Sequence, residues 1–124
     1  MTVQLLIFAA RKEGMSLEAF DEHWRNGHAT GFLALPIVKK HCLKYEQYHH
    51  KNTEREQAEV SLGLDPSGWD GVGLVEFDSM EGAQAVFSDQ GFLDFVTAEV
   101  PIFLGKMERV ILMNEPRVMY KRDE

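Results

Sequence analysis

A chain of 124 residues is long enough for one domain with a real core and too short for two. Its apolar share of 44% and charged share of 27% are those of a folded globular protein and argue against disorder. The net charge is −7 and the basic residues are scattered; the pairs Lys39-Lys40 and Lys121-Arg122 make no phosphate-tracking stripe, so neither nucleic acid nor an anionic membrane is an expected partner.

No apolar run approaches the roughly 18 residues of a bilayer span. The apolar start VQLLIFAA lacks the basic flank and small-residue cleavage site of a secretory leader and reads as a strand. A single cysteine, Cys42, allows no internal disulfide and suits a reducing compartment. A cytoplasmic protein is expected.

Residues 3–10 are apolar without clean alternation, the pattern of a strand buried on both faces. A polar turn at 11–14 leads to SLEAFDEHWRNGH at 16–28, where Ser16 caps a helix and Glu18 sits in its first turn. Phe20, Trp24 and His28 follow at i, i+4 and i+8, with Leu17 on the same side, so the surface that receives the two aromatics also receives the imidazole. Gly27 marks a kink or a close approach of the backbone to another group. The continuation through 29–37 carries Phe32, Leu33 and Leu35 before Pro36 stops it.

Residues 41–51 alternate as a second strand, with His41, Leu43, Tyr45, Gln47 and His49 on one side and Cys42, Lys44, Glu46, Tyr48 and His50 on the other. Thr53 and Glu56 form a capping box before a short polar helix near 54–62, and Asp65-Pro66-Ser67-Gly68 is a turn. GVGLVEF at 71–77 is a third strand. Ser79 caps a helix with Ala83, Val86 and Phe87 inward; Asp89 starts another with Phe92, Phe95 and Val96, ended between Pro101 and Gly105. MERVILMN at 107–114 is a fourth strand, and the last ten residues form a polar tail that straps the surface.

The order β, α, β, β, α, β with helical inserts predicts an α+β protein, a ferredoxin-like antiparallel sheet with helices on one face. The first and fourth strands read as buried on both sides, yet the helices suffice for one face only. A second copy, packed back to back, is expected on the other.

Three pieces, LLIFAARKEGMSLEAFDEHWRNGHA, KKHCLKYEQYHHK and WDGVGLVEF, resemble the EthD-like branch of the dimeric α/β-barrel superfamily, in particular fungal members associated with polyketide pathways. The resemblance implies a ferredoxin-like protomer dimerised through its sheet, with a pocket between sheet and helices. It also implies chemistry on small cyclic or polyketide-like substrates with neither metal nor organic cofactor: decarboxylation, dehydration, cyclisation or lactone isomerisation. The related muconolactone methylisomerases place a functional histidine near the end of the first helix, the position His28 holds here. Other superfamily members degrade haem, but no motif here is specific for that ligand.

A lone histidine on an apolar face is otherwise a satisfied packing residue; the resemblance shifts the balance toward chemistry. An ordinary imidazole titrates near about 6.5, so His28 is expected both to take and to give protons. Tyr45 is a hydrogen-bond partner for a substrate carbonyl or phenol, and His49, roughly 13 Å further along the strand, a second acid or base. Asp70, beside Trp69, is placed to orient a histidine or polarise a hydroxyl. Phe8, Trp24, Phe87, Phe92 and Phe95 are expected to line a flat apolar pocket for substrate.

No metal site is expected. His41 and His49 share a strand side about 26 Å apart, His23 and His28 are five apart and off a common helical face, and His49 and His50 point oppositely. The sequence thus reads as a cofactor-independent lyase, a dehydratase or decarboxylase, with His28 as principal acid/base and Tyr45, His49 and Asp70 as helpers. The alternatives are a polyketide cyclase or lactone isomerase in the same pocket, or a non-catalytic small-molecule binding protein.

Overall fold

A computed structural model describes residues 2–49, 52–65, 68–112 and 116–123, the side chains of Asn52 and Thr53 excepted. Strands β1 (Val3–Arg11), β2 (Cys42–His49), β3 (Gly71–Phe77) and β4 (Leu104–Leu112) form one sheet in the order β2-β3-β1-β4, every neighbouring pair antiparallel. This is the ferredoxin-like arrangement.

Alternation fixes the two faces of the sheet. In β3, Gly71, Gly73, Val75 and Phe77 are buried while the residues between them are half-buried. Register carries that side across the sheet, because residues directly opposite in an antiparallel pair share a face. Leu5 lies opposite Val75 and Ile7 opposite Gly73; on β2, Tyr45 faces Val75, Gln47 faces Gly73 and His49 faces Gly71; on β4, Met107 faces Ala9 and Arg109 faces Ile7. All of these point toward the helices.

The helices come in two groups. From β1 to β2 run α1 (Leu17–Glu22), a π turn (His23–His28), α2 (Ala29–Ala34) and α3 (Pro36–His41); from β3 to β4 run α5 (Met80–Ser88) and α6 (Gln90–Phe103). Helix α4 (Asn52–Leu62) is inserted between β2 and β3. The Ser16, Ser79 and Asp89 side chains accept from the amides of Ala19, Gly82 and Phe92, each satisfying an orphan donor of a first turn.

Several boundaries differ from expectation. Pro36 starts a helix rather than stopping one: Leu35 before it is extended, and Pro36 takes the first helical position, where its missing N–H costs nothing. His41 ends α3 instead of opening β2, and its Nδ1 lies 3.0 Å from Asp78 at the exit of β3. Helix α4 begins at Asn52, ahead of Thr53, and the Thr53 half of the capping box falls outside the described side chains. The turn at 65–68 lies partly outside the described residues, although Gly68 takes a φ of 80° that favours glycine. Helix α6 ends at Phe103, between Pro101 and Gly105 as expected, but β4 starts at Leu104, earlier than the sequence pattern suggests.

The outward sheet face mixes an apolar patch with charged residues such as Lys44, Glu46, Glu76 and Glu108, and among the described helices only α4 borders it, near Phe8, Tyr48 and Val72. Tyr48, Val110 and Leu112 are exposed there, beside half-buried Leu6, Phe8 and Leu74. Strand β4 is thus open to solvent along most of its length rather than buried on both sides within the protomer. Residues 116–123 have no regular structure, and Val118, Met119 and Tyr120 stand exposed, so the tail does not strap this protomer.

Inside, Trp24 (4% exposed) lies on the glycine floor of β3. A methyl group at Gly71 would sit well inside van der Waals contact of Trp24 Cζ3, whereas one at Gly73 would meet the indole at an ordinary 3.4 Å. Gly71→Ala is therefore expected to destabilise the fold by about 1–3 kcal/mol through overpacking, and Gly73→Ala far less. Urea denaturation of the two variants tests this, and equal midpoints would show that Trp24 is free to move aside.

Candidate active site

The site begins in the π turn. The Ala29 amide reaches back five residues to the Trp24 carbonyl, and the His23 amide is shared between Ala19 and Phe20. Such wide turns are rare and concentrate at functional positions. Gly27 permits this one, since a Cβ there would lie 2.9 Å from the imidazole of His23. The i+5 winding brings residues five apart onto one side, and both His23 and His28 meet Glu99 of α6. His23 Nε2 hydrogen-bonds Glu99 Oε1, and His28 Nδ1 lies 3.7 Å from the same oxygen. The expectation that these histidines sit off a common face is thereby overturned.

His28 is packed among aromatic rings: Phe103 at 5.1 Å, Phe95 at 5.5 Å and Phe32, nearly parallel, at 6.4 Å between centroids. Its Nδ1 is buried without a hydrogen bond. Burial pulls its pKa down to about 4, against the attraction of Glu99 and with a smaller push from His23. At neutral pH the ring is uncharged. It is a base, rather than a group poised to take and give protons equally.

A cavity of about 220 Å³ opens between helices and sheet, and His28, Tyr45, Trp24, Phe87, Phe92 and Arg109 are among its walls. Tyr45 is held by a chain of polar groups. Gln47 Nε2 donates to the Tyr45 hydroxyl oxygen (2.8 Å) and to the Trp24 carbonyl (3.0 Å). A carbonyl only accepts, so the amide nitrogen must face it, and the amide oxygen then faces His49 Nε2 at 2.7 Å. With its oxygen already accepting, Tyr45 has its own proton left to donate into the cavity. Burial raises the phenol pKa, opposed by hydrogen bonds from Gln47 and Trp24, so the proton stays on.

The remaining sequence candidates lie elsewhere. His49 packs on Trp24 (4.8 Å), has Asp21 Oδ1 3.1 Å from its Nδ1, and reaches the chamber only through Gln47. It borders a second hollow beside α4 rather than the first. Asp70 accepts from the Arg11 amide at 2.7 Å while its own N–H donates to the Ala9 carbonyl, clipping β1 to β3 away from the chamber. Phe8 points outward against Trp69 (6.0 Å), because the register places it with Val72 and Glu108 on the opposite face. Phe95 stands behind His28, over Gly31, and is not a cavity wall.

Sequence reasoning missed Glu99, His23, Gln47 and Arg109. Glu99 was findable: it falls seven residues after Phe92 and four after Phe95, a lone carboxylate on the apolar side of α6. Among the described residues, no group of three histidine, cysteine or acidic side chains is arranged to hold a metal, and no helix is long and apolar enough to cross a membrane.

A ferredoxin-like sheet roofed by helices, with a buried imidazole and a phenol on one apolar chamber, defines a small α+β protein with a ligand-sized site between its layers. The EthD domain family matches residues 12–106, and the chain belongs to that family. Among solved structures it is similar to an EthD family protein from Bacillus halodurans C-125 (18% identity, 93% of this chain and 100% of that one, TM-score 0.63). A hydroxynitrile lyase from Passiflora edulis is similar at 12% identity (94% and 96% covered, TM-score 0.65). So is a dimeric ferredoxin-like protein of unknown function from Bacteroides fragilis NCTC 9343, at 12% identity (91% and 96%, TM-score 0.60). No curated protein sequence matches the chain.

The depressed pKa of His28 has a stability consequence that needs no substrate. The unfolded ring takes a proton near about 6.5 and the folded one near about 4, so the unfolded state binds more protons in between. Stability from this group is complete above the unfolded value and declines as the pH falls toward the folded one, by on the order of 3 kcal/mol. His28→Phe is expected to lose that part of the pH dependence. Denaturation of both proteins across this range checks it; parallel curves would mean that the ring is not held neutral.

Proposed function

We propose that the protein is a cofactor-independent dehydratase, a lyase acting by proton transfer on an aromatic or polyketide-derived β-hydroxy ketone. The observation that carries this reading is a neutral, buried His28 on the same apolar cavity as a Tyr45 hydroxyl whose proton is free to donate.

The substrate ring lies among Trp24, Phe87 and Phe92, and Tyr45 donates to its carbonyl oxygen. His28 removes the proton from the carbon between the carbonyl and the hydroxyl-bearing carbon, and the electron pair moves into an enolate. Tyr45 stabilises the growing oxyanion, and Glu99 faces the imidazolium that forms. The enolate re-forms the carbonyl, expelling hydroxide, which takes the proton back from His28 and leaves as water. Decarboxylation is less well served, because it needs a proton already on the base for delivery to carbon. The Passiflora relative named as a hydroxynitrile lyase supports a lyase on this fold.

The working unit is proposed as a homodimer through the outward sheet face, whose exposed Tyr48, Val110 and Leu112 form the apolar surface a second copy covers. The similar Bacteroides protein is described as dimeric.

Incubation with a β-hydroxytetralone, which aromatises to a naphthol on losing water, tests the reaction. Mass spectrometry is expected to show loss of water, not of carbon dioxide, with His28→Ala slower by roughly 10²–10⁴-fold. The acid limb of kcat/KM should fall near pH 4, since activity needs the neutral ring. Binding without turnover would favour the binding-protein alternative, and undiminished turnover in His28→Ala would remove His28 from the mechanism. For the dimer, sedimentation should show wild-type pairs and Val110→Glu monomers; a monomeric wild type would end that assignment.

A further inference from the structure

Among the cavity walls, Arg109 alone carries a charge that does not depend on pH. It stands on the inward side of β4, opposite Ile7 and between Met107 and Ile111, where the pattern of the strand calls for an apolar residue. Its guanidinium lies 6.0 Å from the ring centre of Phe87, itself a cavity wall, so the charge is seated over an aromatic of the chamber. Arg11, Arg25 and Arg55 each have a carboxylate at ion-pair distance, in Asp70, Glu22 and Glu59. Arg109 has none among the described residues, nor do Arg117 and Arg122 in the exposed tail, but of these three only Arg109 lines the cavity. Arg109 is exposed, so its guanidinium is open both to solvent and to whatever enters the chamber.

We propose that Arg109 recognises a carboxylate on the substrate, and that the ligands of this cavity are aromatic acids, the ring enclosed by Trp24, Phe87 and Phe92 and the carboxylate held at the rim by the guanidinium. A planar guanidinium takes a carboxylate through two parallel hydrogen bonds, while the neutral parent compound gains only the apolar contacts. The inference rests on the cavity being the substrate site proposed above, but not on which bond is broken there.

The test uses a hydroxynaphthoic acid and the corresponding naphthol, with quenching of Trp24 fluorescence as the readout in a Trp69→Phe background, so that the signal reports the cavity. The acid is expected to bind at least about tenfold more tightly than the naphthol, with a preference that weakens as salt rises. Arg109→Gln should remove the preference by weakening the acid alone, and Arg109→Lys should restore part of it. Equal binding of acid and naphthol to the wild type, or a preference that survives Arg109→Gln, overturns the role of Arg109 and leaves the cavity as a site. If neither compound binds, the cavity reading and this inference fall together.

Discussion

Six residues of the first helix, His23–His28, wind more widely than an α-helix, and the polar centre of the molecule follows from that winding. At 3.6 residues per turn, side chains five apart point about 140° away from each other. The π turn removes this divergence and delivers two imidazoles to a single carboxylate oxygen on α6. The wider turn is sustained by what surrounds it. Gly27 leaves room for the His23 ring, Glu99 accepts from His23, and Phe20 and Trp24 anchor the flanks in the core.

The two histidines use Glu99 differently. His23 is bonded to it, whereas His28 Nδ1, at 3.7 Å, is too far for a hydrogen bond and feels only the charge. Three aromatic rings keep water from that side of His28, and the desolvation they impose outweighs the attraction. An imidazole held neutral by its packing keeps its lone pair unprotonated at ordinary pH, though with a lower proton affinity, and any charge it takes on faces the Glu99 carboxylate. The cost is a group that works against folding in acid.

The order of elements was legible because strands and caps write local patterns: strict alternation in GVGLVEF, Ser79 and Asp89 ahead of their helices. Faces were less legible where the pattern is uniform. In VQLLIFAA every other position is as apolar as its neighbours, so only the register with β3 and β4 shows that Phe8 turns outward while Leu5 and Ala9 turn inward. On sequence alone Asp70 is a candidate partner for a histidine or a hydroxyl, but its carboxylate accepts from the Arg11 backbone amide, a contact that no pattern of side chains displays. Exposure of β4 is likewise invisible in its sequence, because an apolar run reads the same whether its strand is buried within the chain or open to solvent. α-Helical geometry places His23 and His28 on different sides, and a π turn is invisible to that periodicity.

The π turn and the tyrosine meet at one atom. The Trp24 carbonyl accepts from the Ala29 amide, closing the wide turn, and from Gln47, whose nitrogen also holds the Tyr45 hydroxyl. Both lone pairs of that oxygen are therefore committed. Rewinding the helix to an α register would hand the carbonyl to the amide of residue 28, four positions on, displace the Trp24 backbone and disturb the amide that orients the phenol. Trp24 itself stays down on Gly71 and Gly73 because those positions carry no side chain. The phenol on the sheet and the π turn that carries the imidazole are thus tied to one backbone oxygen, which the indole on its glycine floor helps to hold in place.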